Sequence, residues 1–380
     1  MRQIYLDYNA TTPLAPSVLE AMQPFLKGHY GNPSSSHALG RAAHEGIEDA
    51  RSKVADLLAC DAQDIIFTSG GTESNNLALK GVMFSGQPGV GHLVISAIEH
   101  PAIVQPAKFL ERLGYDVSIV ECEANGVVLP SAVEKALRQD TRLVSVMHAN
   151  NEIGTIQPIR QIAEICHGRG ILVHTDASQS VGKIPTFVDQ LDVDLLTLAG
   201  HKFYGPKGIG ALFVREGISL EPSNHGASQE NGMRAGTENT PLIVGLGQAA
   251  HLVSRGMDEA CDSITRLRDR LSDQLVNSIP GLTINGDGAK RLPNTLSISF
   301  PEVGGREILM RTPEICASTG SACNSGGLVE SATLEAMGKS KEQIAGTVRL
   351  SCGWHNSEEE IDRASNLLID AWEVLVASVH

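Results

Sequence analysis

Short apolar runs alternate with helix-length segments through the first 215 residues, and most of those runs stop at a polar cluster. Ile65-Ile66-Phe67-Thr68 leads into Ser69-Gly70-Gly71-Thr72, and residues 92–97 end near Glu99-His100-Pro101. Residues 143–147 end at His148-Ala149-Asn150-Asn151-Glu152, residues 171–174 at Thr175-Asp176, and residues 195–198 at Ala199-Gly200-His201-Lys202. Residues 117–120 and 209–214 read as two more strands, with helices expected over 37–59, 72–83, 101–113, 130–137 and 159–167. Strands that alternate with helices predict an α/β fold with a largely parallel sheet covered on both faces. Right-handed crossovers then place the strand C-termini along one edge, where such folds bind ligands. Five polar clusters at that edge predict one shared ligand site.

The second half differs. Residues 224–241 are polar, Gly-rich and longer than a compact connection needs, which suggests a functional loop or an arm between subunits. A long helix is expected over 242–279, with a break near Gly256. Strands follow at 282–284, 295–300 and 348–352, and Ser357 with Glu360 three residues on forms a capping box opening a final helix to about 377. Fewer and more widely separated strands fit a smaller α+β domain, and 380 residues suffice for two domains. Lys and Arg number 30 against 44 Asp and Glu, so the net charge of −14 argues against nucleic acid as the main partner. No apolar run is long enough for a membrane span, and the N-terminus lacks an apolar signal core. Seven scattered cysteines without a closely spaced pair argue against a disulfide framework or zinc knuckle and for a reducing cytoplasm. His100, His174 and His201 lack metal-ligand spacing, so no metal is expected.

Lys202, at a strand end amid Gly and Pro, suits a lysine that forms a Schiff base, although most lysines are solvated surface charges. Ser69-Gly70-Gly71-Thr72, between a strand and a helix N-terminus, offers free N–H groups and hydroxyls to an anion; the plain alternative is a capped Gly turn. It matches neither the Walker nor the dinucleotide glycine pattern. Asp176 can stabilise a protonated ring nitrogen or simply cap a helix, and His100 can stack on a ring and shuttle protons or simply bond to backbone. Together an anion cup, a ring-nitrogen carboxylate and a strand-end lysine describe a pyridoxal 5'-phosphate (PLP) site. Cys323, among small residues from Ala317 to Gly327, reads as a reactive thiol on an exposed loop. Arg349, in or at the end of a strand, can clamp a substrate carboxylate, with a surface ion pair as the alternative.

Longer motifs carry a resemblance. They are Asp7-Tyr8-Asn9-Ala10-Thr11-Thr12-Pro13, Gly31-Asn32-Pro33-Ser34-Ser35, residues 68–75, Glu99-His100, residues 150–154, residues 176–183, Gly200-His201-Lys202, residues 233–237 and Gly320-Ser321-Ala322-Cys323. Over essentially its whole length the chain resembles the NifS/IscS-type cysteine desulfurases of the class V aminotransferase group. The resemblance implies the PLP-dependent transferase fold type I. Residues 15–258 would form a large domain with a mainly parallel seven-stranded sheet sandwiched by helices. Residues 1–14 and 259–380 would form the small α+β domain that carries the cysteine loop. It implies that Lys202 holds PLP, Asp176 pairs with the pyridine nitrogen, and His100 stacks on the ring and transfers protons. Gly71, Thr72 and His201 would bind the phosphate, with Thr237 reaching it from the other subunit of a homodimer. Asn151 and Gln179 would contact the ring oxygen, and Arg349 the carboxylate of L-cysteine. Cys323 would attack the substrate sulfur, leaving alanine and a persulfide destined for an acceptor protein. That acceptor could serve iron–sulfur assembly, tRNA thiolation or DNA sulfur modification. Selenocysteine lyase and cysteine sulfinate desulfinase are the alternatives within the family, and a scaffold without turnover is disfavoured by the intact Lys202, Asp176, His100 and Cys323. Three positions depart from the usual pattern: Ala199 where a phosphate-binding serine is common, Ala227-Ser228 where Gly-Gly is common, and Asn324 after the cysteine.

Overall fold

The computed structural model describes residues 3–320 and 331–379. Its twelve strands are β1 (Ile4–Tyr5), β2 (Ile65–Thr68), β3 (His92–Ser96), β4 (Asp116–Val120), β5 (Thr141–Ser145), β6 (Leu172–Asp176), β7 (Leu195–Ala199), β8 (Gly210–Val214), β9 (Thr283–Ile284), β10 (Thr295–Ser299), β11 (Ile315–Cys316) and β12 (Thr347–Ser351). Seven of them form one sheet in the order β2-β8-β7-β6-β5-β3-β4, flanked by helices. Neighbouring residues on a strand serve opposite faces, as a period of two requires. Phe67, Val144 and Leu196 enter a core with Ile47, Val54 and Leu246. Ile66, Leu143 and Leu195 enter the core on the other side, with Leu77, Leu79 and Met83.

Six of the seven strands point the same way, and β8 does not: it pairs antiparallel with both β2 and β7. The expectation that every strand C-terminus lies on one edge therefore fails at β8. The 200–209 connection from β7 is too short for the crossover that a parallel partner needs. The reversal brings the start of β8 against the Ser69–Thr72 turn. At Gly210 a Cβ would lie 2.5 Å from Leu198 O and 2.8 Å from Gly70 Cα, so only glycine allows this approach.

A second core lies around the three-stranded sheet β12-β10-β9. Ile4, Leu6, Leu267, Leu271, Leu275, Leu296, Ile298, Leu350, Ile361 and Leu368 are buried in it. The final helix, Glu358–Val379, opens with the Ser357 half of the expected capping box, Glu360 N donating to Ser357 Oγ at 3.2 Å, while Glu360 Oε2 accepts from Asn356 Nδ2 at 3.4 Å. β1 pairs in parallel with β11, so the chain's first strand lies beside the strand that precedes Cys323.

The two cores share the helix Thr240–Ser278, 39 residues long. Ile243, Leu246 and Val253 pack in the first core, and Ile264, Leu267 and Leu271 in the second. The expected break near Gly256 is absent. A Cβ there would meet nothing within 4 Å, so the glycine sits in an exposed stretch and costs only about 1 kcal/mol of helix propensity. Packing at both ends outweighs that. Among the described residues no helix is long and apolar enough to cross a membrane.

In urea unfolding, Gly256→Ala is expected to raise stability by about 0.5–1 kcal/mol, because it stiffens the helix without a clash. Leu271→Ala, at a fully buried position, is expected to lower it by about 2–5 kcal/mol.

Candidate active site

The C-terminal ends of β2, β3, β5, β6 and β7 bring the predicted residues to one edge. Lys202 lies in a tight turn directly after β7, where its Nζ donates to Asn9 O at 2.7 Å and to Ala10 O at 2.9 Å. Asp176 ends β6 and is buried. Its Oδ2 accepts from Asn75 Nδ2 at 2.7 Å and its Oδ1 from Ser178 N at 2.9 Å. Asp176 caps the turn after β6 rather than a helix, and the two bonds fix its carboxylate. Asn75 belongs to the helix Gly71–Phe84, so the same helix that offers its N-terminus to an anion also orients Asp176.

The Ser69–Thr72 turn stands at a helix N-terminus as expected, but two of its N–H groups are already taken: Ser69 N donates to Glu73 Oε2 at 2.7 Å and Gly70 N to Thr68 Oγ1 at 3.3 Å. Gly70 has φ 147°, a conformation that L side chains rarely adopt, and a Cβ there would meet nothing within 4 Å. At Gly71 a Cβ would come within 3.0 Å of Ser178 Oγ and 3.5 Å of Ala199 Cβ. The Ser178 hydroxyl and the Ala199 methyl thus face the start of the helix, and Ala199 occupies a wall of the cup without a polar atom. Thr72 is exposed at the cup's rim. His201 closes the other side, its Nδ1 3.2 Å from Thr11 Oγ1. Burial, with Lys202, Lys207 and Lys183 near by, pushes the His201 imidazole down to about 4, so at neutral pH it is uncharged.

His100 is the N-cap of the helix Pro101–Arg112, and its Nδ1 accepts from Ala102 N at 3.1 Å. That bond puts the proton of the neutral ring on Nε2. Burial lowers the His100 pKa; Asp176 opposes the shift and Lys202 adds to it, which places the ring within the field of both. Its neighbour Glu99 is buried, and its Oε1 accepts from Ser96 Oγ and from Met147 N, each at 2.7 Å. Glu99 thereby ties the end of β3 to the end of β5. Its Oε2 is buried with no hydrogen-bond partner, and burial pushes the carboxyl up to about 8.

Arg349, on β12, reaches the same edge from the second core. The sequence allowed a surface ion pair; the structure instead buries the guanidinium, which donates to Asp7 Oδ1 at 2.8 Å and to Asn151 O at 3.0 Å. Its Nε is buried with no hydrogen-bond partner. Asn151 is held through its carbonyl, which also accepts from Asn9 Nδ2 at 3.2 Å. Gln179 donates from Nε2 to Asn9 O at 2.9 Å and accepts from Lys183 Nζ at 3.0 Å. A backbone carbonyl can only accept, so Asn9 O fixes the Gln179 NH₂ toward itself and leaves Oε1 to face Lys183.

Two predicted residues lie elsewhere. Thr237 is exposed in the 224–239 segment, which Arg234 ties to the cup helix through Glu73 at 2.9 Å. Cys323 lies outside the described residues. The described residues on either side of its segment meet at the buried Glu152. Glu152 Oε2 accepts from Ser331 Oγ, and a Cβ on Gly320 would lie 3.1 Å from the same oxygen. Asn9, Asn75 and Lys183 received no role from the sequence. All three fall inside recognised motifs, but nothing local distinguishes a buried bridging asparagine from a turn asparagine.

A family model described as Aminotransferase class-V matches residues 4–364. Cysteine desulfurase IscS of Dictyoglomus turgidum is 46% identical over 369 residues, covering 97% of this chain and 94% of its own. Cysteine desulfurase IscS of Methanosarcina thermophila is 44% identical over 364 residues, covering 95% of this chain and 90% of its own. Among solved structures, a NifS-like protein matches with TM-score 0.91 and 38% identity over 98% of this chain and 99% of the other. The structure described as SspA in complex with cysteine matches with TM-score 0.83 and 39% identity over 92% and 98%.

Glu99 yields a pH prediction. Its carboxyl ordinarily ionises near 4.5 but in the folded chain keeps its proton to about 8. Between those values the unfolded chain loses a proton that the folded chain retains, so this group's contribution to stability falls as pH rises. Glu99→Gln is expected to gain stability relative to the parent progressively from about pH 4.5 to pH 8, read as the difference between their urea midpoints. A constant difference across that window is the contrary result.

Proposed function

Since the chain belongs to the aminotransferase class-V family, within its IscS-type cysteine desulfurases, we propose that it is a PLP-dependent cysteine desulfurase that converts L-cysteine to L-alanine and holds the sulfur as a persulfide on Cys323. The observation that carries this reading is that Lys202 donates to Asn9 O while Arg349, from the other core, shares Asn151 O with Asn9 Nδ2, and that His100 lies in the field of both Lys202 and Asp176.

The residues present fit PLP. The Gly70-Gly71 turn leaves a recess at a helix N-terminus for a phosphate, flanked by the neutral His201. Asp176 offers a fixed buried carboxylate to a pyridine nitrogen, and Lys202 an amine to an aldehyde. Bound there, PLP supplies an electron sink to the α-amino acid. The Gln179 NH₂ and Asn151 serve the ring oxygen, and Thr72 adds a hydroxyl at the phosphate. Arg349 takes the substrate carboxylate, with its unpartnered Nε among the donors available.

Cys323, as thiolate, attacks the sulfur of the substrate. A new S–S bond forms as the substrate's Cβ–S bond breaks, and the electron pair stays with carbon. A proton passed through His100 Nε2, the ring nitrogen not committed to Ala102, turns that carbon into the methyl group of alanine, and solvent restores it to the ring. The product is Cys323–S–SH, from which an acceptor protein collects sulfur. We take residues 15–258 as the cofactor-binding unit, and 1–14 with 259–380 as the unit bearing Arg349 and Cys323. In a homodimer the exposed Thr237 extends to the phosphate of the other subunit's cup. Free thiols scattered through the fold suit a reducing cytoplasm.

Purified protein loaded with PLP is expected to release alanine from L-cysteine, and Cys323→Ser to lose persulfide formation while its cofactor absorbance is retained. Unchanged sulfur release by Cys323→Ser would overturn the role of that thiol. Ala199→Ser is expected to tighten PLP binding by about tenfold, the worth of one hydrogen bond to a charged group, measured by titrating the apoprotein and following absorbance.

A further inference from the structure

Tyr204 follows Lys202 by two residues, and Trp354 follows Arg349 by five. Their rings stack with centroids 3.7 Å apart and planes 17° apart. The contact is also polar, because Trp354 N donates to Tyr204 Oη at 2.9 Å. Burial raises the Tyr204 phenol, so the oxygen that receives this bond stays protonated. Tyr204 has φ 66°, a conformation unusual for an aromatic residue, and it is only 6% exposed. The surroundings hold it there: Tyr204 N donates to Thr12 Oγ1 at 2.7 Å, and Tyr204 O accepts from Ala15 N at 3.1 Å.

Trp354 packs against the first core and also against the second. Tyr8 closes the stack from the N-terminal segment, its ring 6.3 Å from that of Tyr204. The turn before Trp354 is pressed onto Tyr8 as well, since a Cβ on Gly353 would fall 2.1 Å from the Tyr8 ring. An off-axis backbone, a stacked ring pair and a side chain shared by both cores thus converge between the Lys202 turn and the Arg349 strand. Strained backbone persists where the surroundings over-determine it, and such positions cluster at functional sites.

We propose that Tyr204 and Trp354 form an aromatic clasp that sets the position of Arg349 relative to Lys202, and so act as positioning residues for the amino-acid substrate. The inference rests on the roles given above to Lys202 and Arg349. An α-amino acid engages the Lys202 end through its amine and the Arg349 end through its carboxylate, and those ends belong to different cores. The clasp joins the turn that carries Lys202 to the segment that follows Arg349. Lys202 is held by Asn9 and Ala10, and Arg349 by Asp7 and Asn151, so removing the clasp leaves both anchored at the N-terminal segment and loosens the β12 side against the lysine turn.

The test uses PLP-loaded enzyme with L-cysteine. Trp354→Ala is expected to raise KM about tenfold or more, since a small misplacement of a binding group is costly, while kcat stays within about twofold and PLP titration is unchanged. Trp354→Phe, which keeps a ring to stack, is expected to restore KM. Tyr204→Phe keeps the stack and loses the oxygen that receives Trp354 N–H, and is expected to raise KM by about fivefold, the net worth of one hydrogen bond. The chain has two tryptophans, so a Trp372→Phe background isolates the emission of Trp354. There Tyr204→Leu is expected to shift that emission to longer wavelength. An unchanged KM in Trp354→Ala overturns the inference. So does a loss of kcat and cofactor binding together, the mark of a merely structural role. Should Trp354→Ala fail to fold, an unchanged KM in Tyr204→Phe, or unshifted emission in Tyr204→Leu, overturns it instead. Failure of the parent enzyme to release alanine would refute the desulfurase reading and is seen before any variant is made.

Discussion

The carbonyl of Asn9 accepts from Lys202 Nζ and from Gln179 Nε2, and much of the site is arranged around that one oxygen. The same residue donates from Nδ2 to Asn151 O and Thr295 Oγ1, and receives Asn294 Nδ2 on Oδ1. Buried to 1% exposure, it is satisfied by partners from both cores. Its neighbours continue the pattern. Asp7 takes the Arg349 guanidinium, Thr11 meets His201, and Thr12 bonds to His201 O and Tyr204 N. A short N-terminal segment therefore serves as the common floor for the lysine turn and the arginine strand. A buried polar network of this kind is stable only when its members are paired, and so it holds its geometry sharply.

Charge in the site follows from that arrangement. Arg349 is buried and Lys202 partly so, and each is met by oxygen from the N-terminal segment: two carbonyls for the lysine and one carboxylate for the arginine. Desolvation, reinforced by those two cations, pushes the Lys183 ammonium down to about 7. Burial also lowers both imidazoles; three lysines add to the shift at His201, whereas at His100 Asp176 opposes it and Lys202 adds to it. The site thus gathers cationic donors at one edge of the sheet, while His100 keeps its Nδ1 committed to Ala102 N.

Long packed elements outrank local signals in two places. Gly256 is a helix-breaking signal, but the helix that contains it is anchored in a core at each end, and the glycine falls in the exposed stretch between them. The 209–214 run reads as one more strand of a parallel sheet, yet the short return from β7 forces it antiparallel. That reversal has a consequence: β8 starts against Gly70 and braces the Ser69–Thr72 turn from behind.

By itself the sequence determined the alternating strands and helices, the polar strand ends and the identity of the groups placed there. Lys202, Asp176, His100 and the Gly70-Gly71 turn were legible because each sits within a few residues of the strand that delivers it, and strand periodicity is a local property. Only the tertiary structure decided what those groups touch. The bond from Lys202 to Asn9 spans 193 residues of chain, and the pair between Arg349 and Asp7 spans 342. Tyr204 and Trp354 likewise stack across 150 residues, and Asn75 reaches Asp176 across 101. No spacing rule connects positions so far apart. They meet because two hydrophobic cores, sharing one long helix, close on the same N-terminal segment.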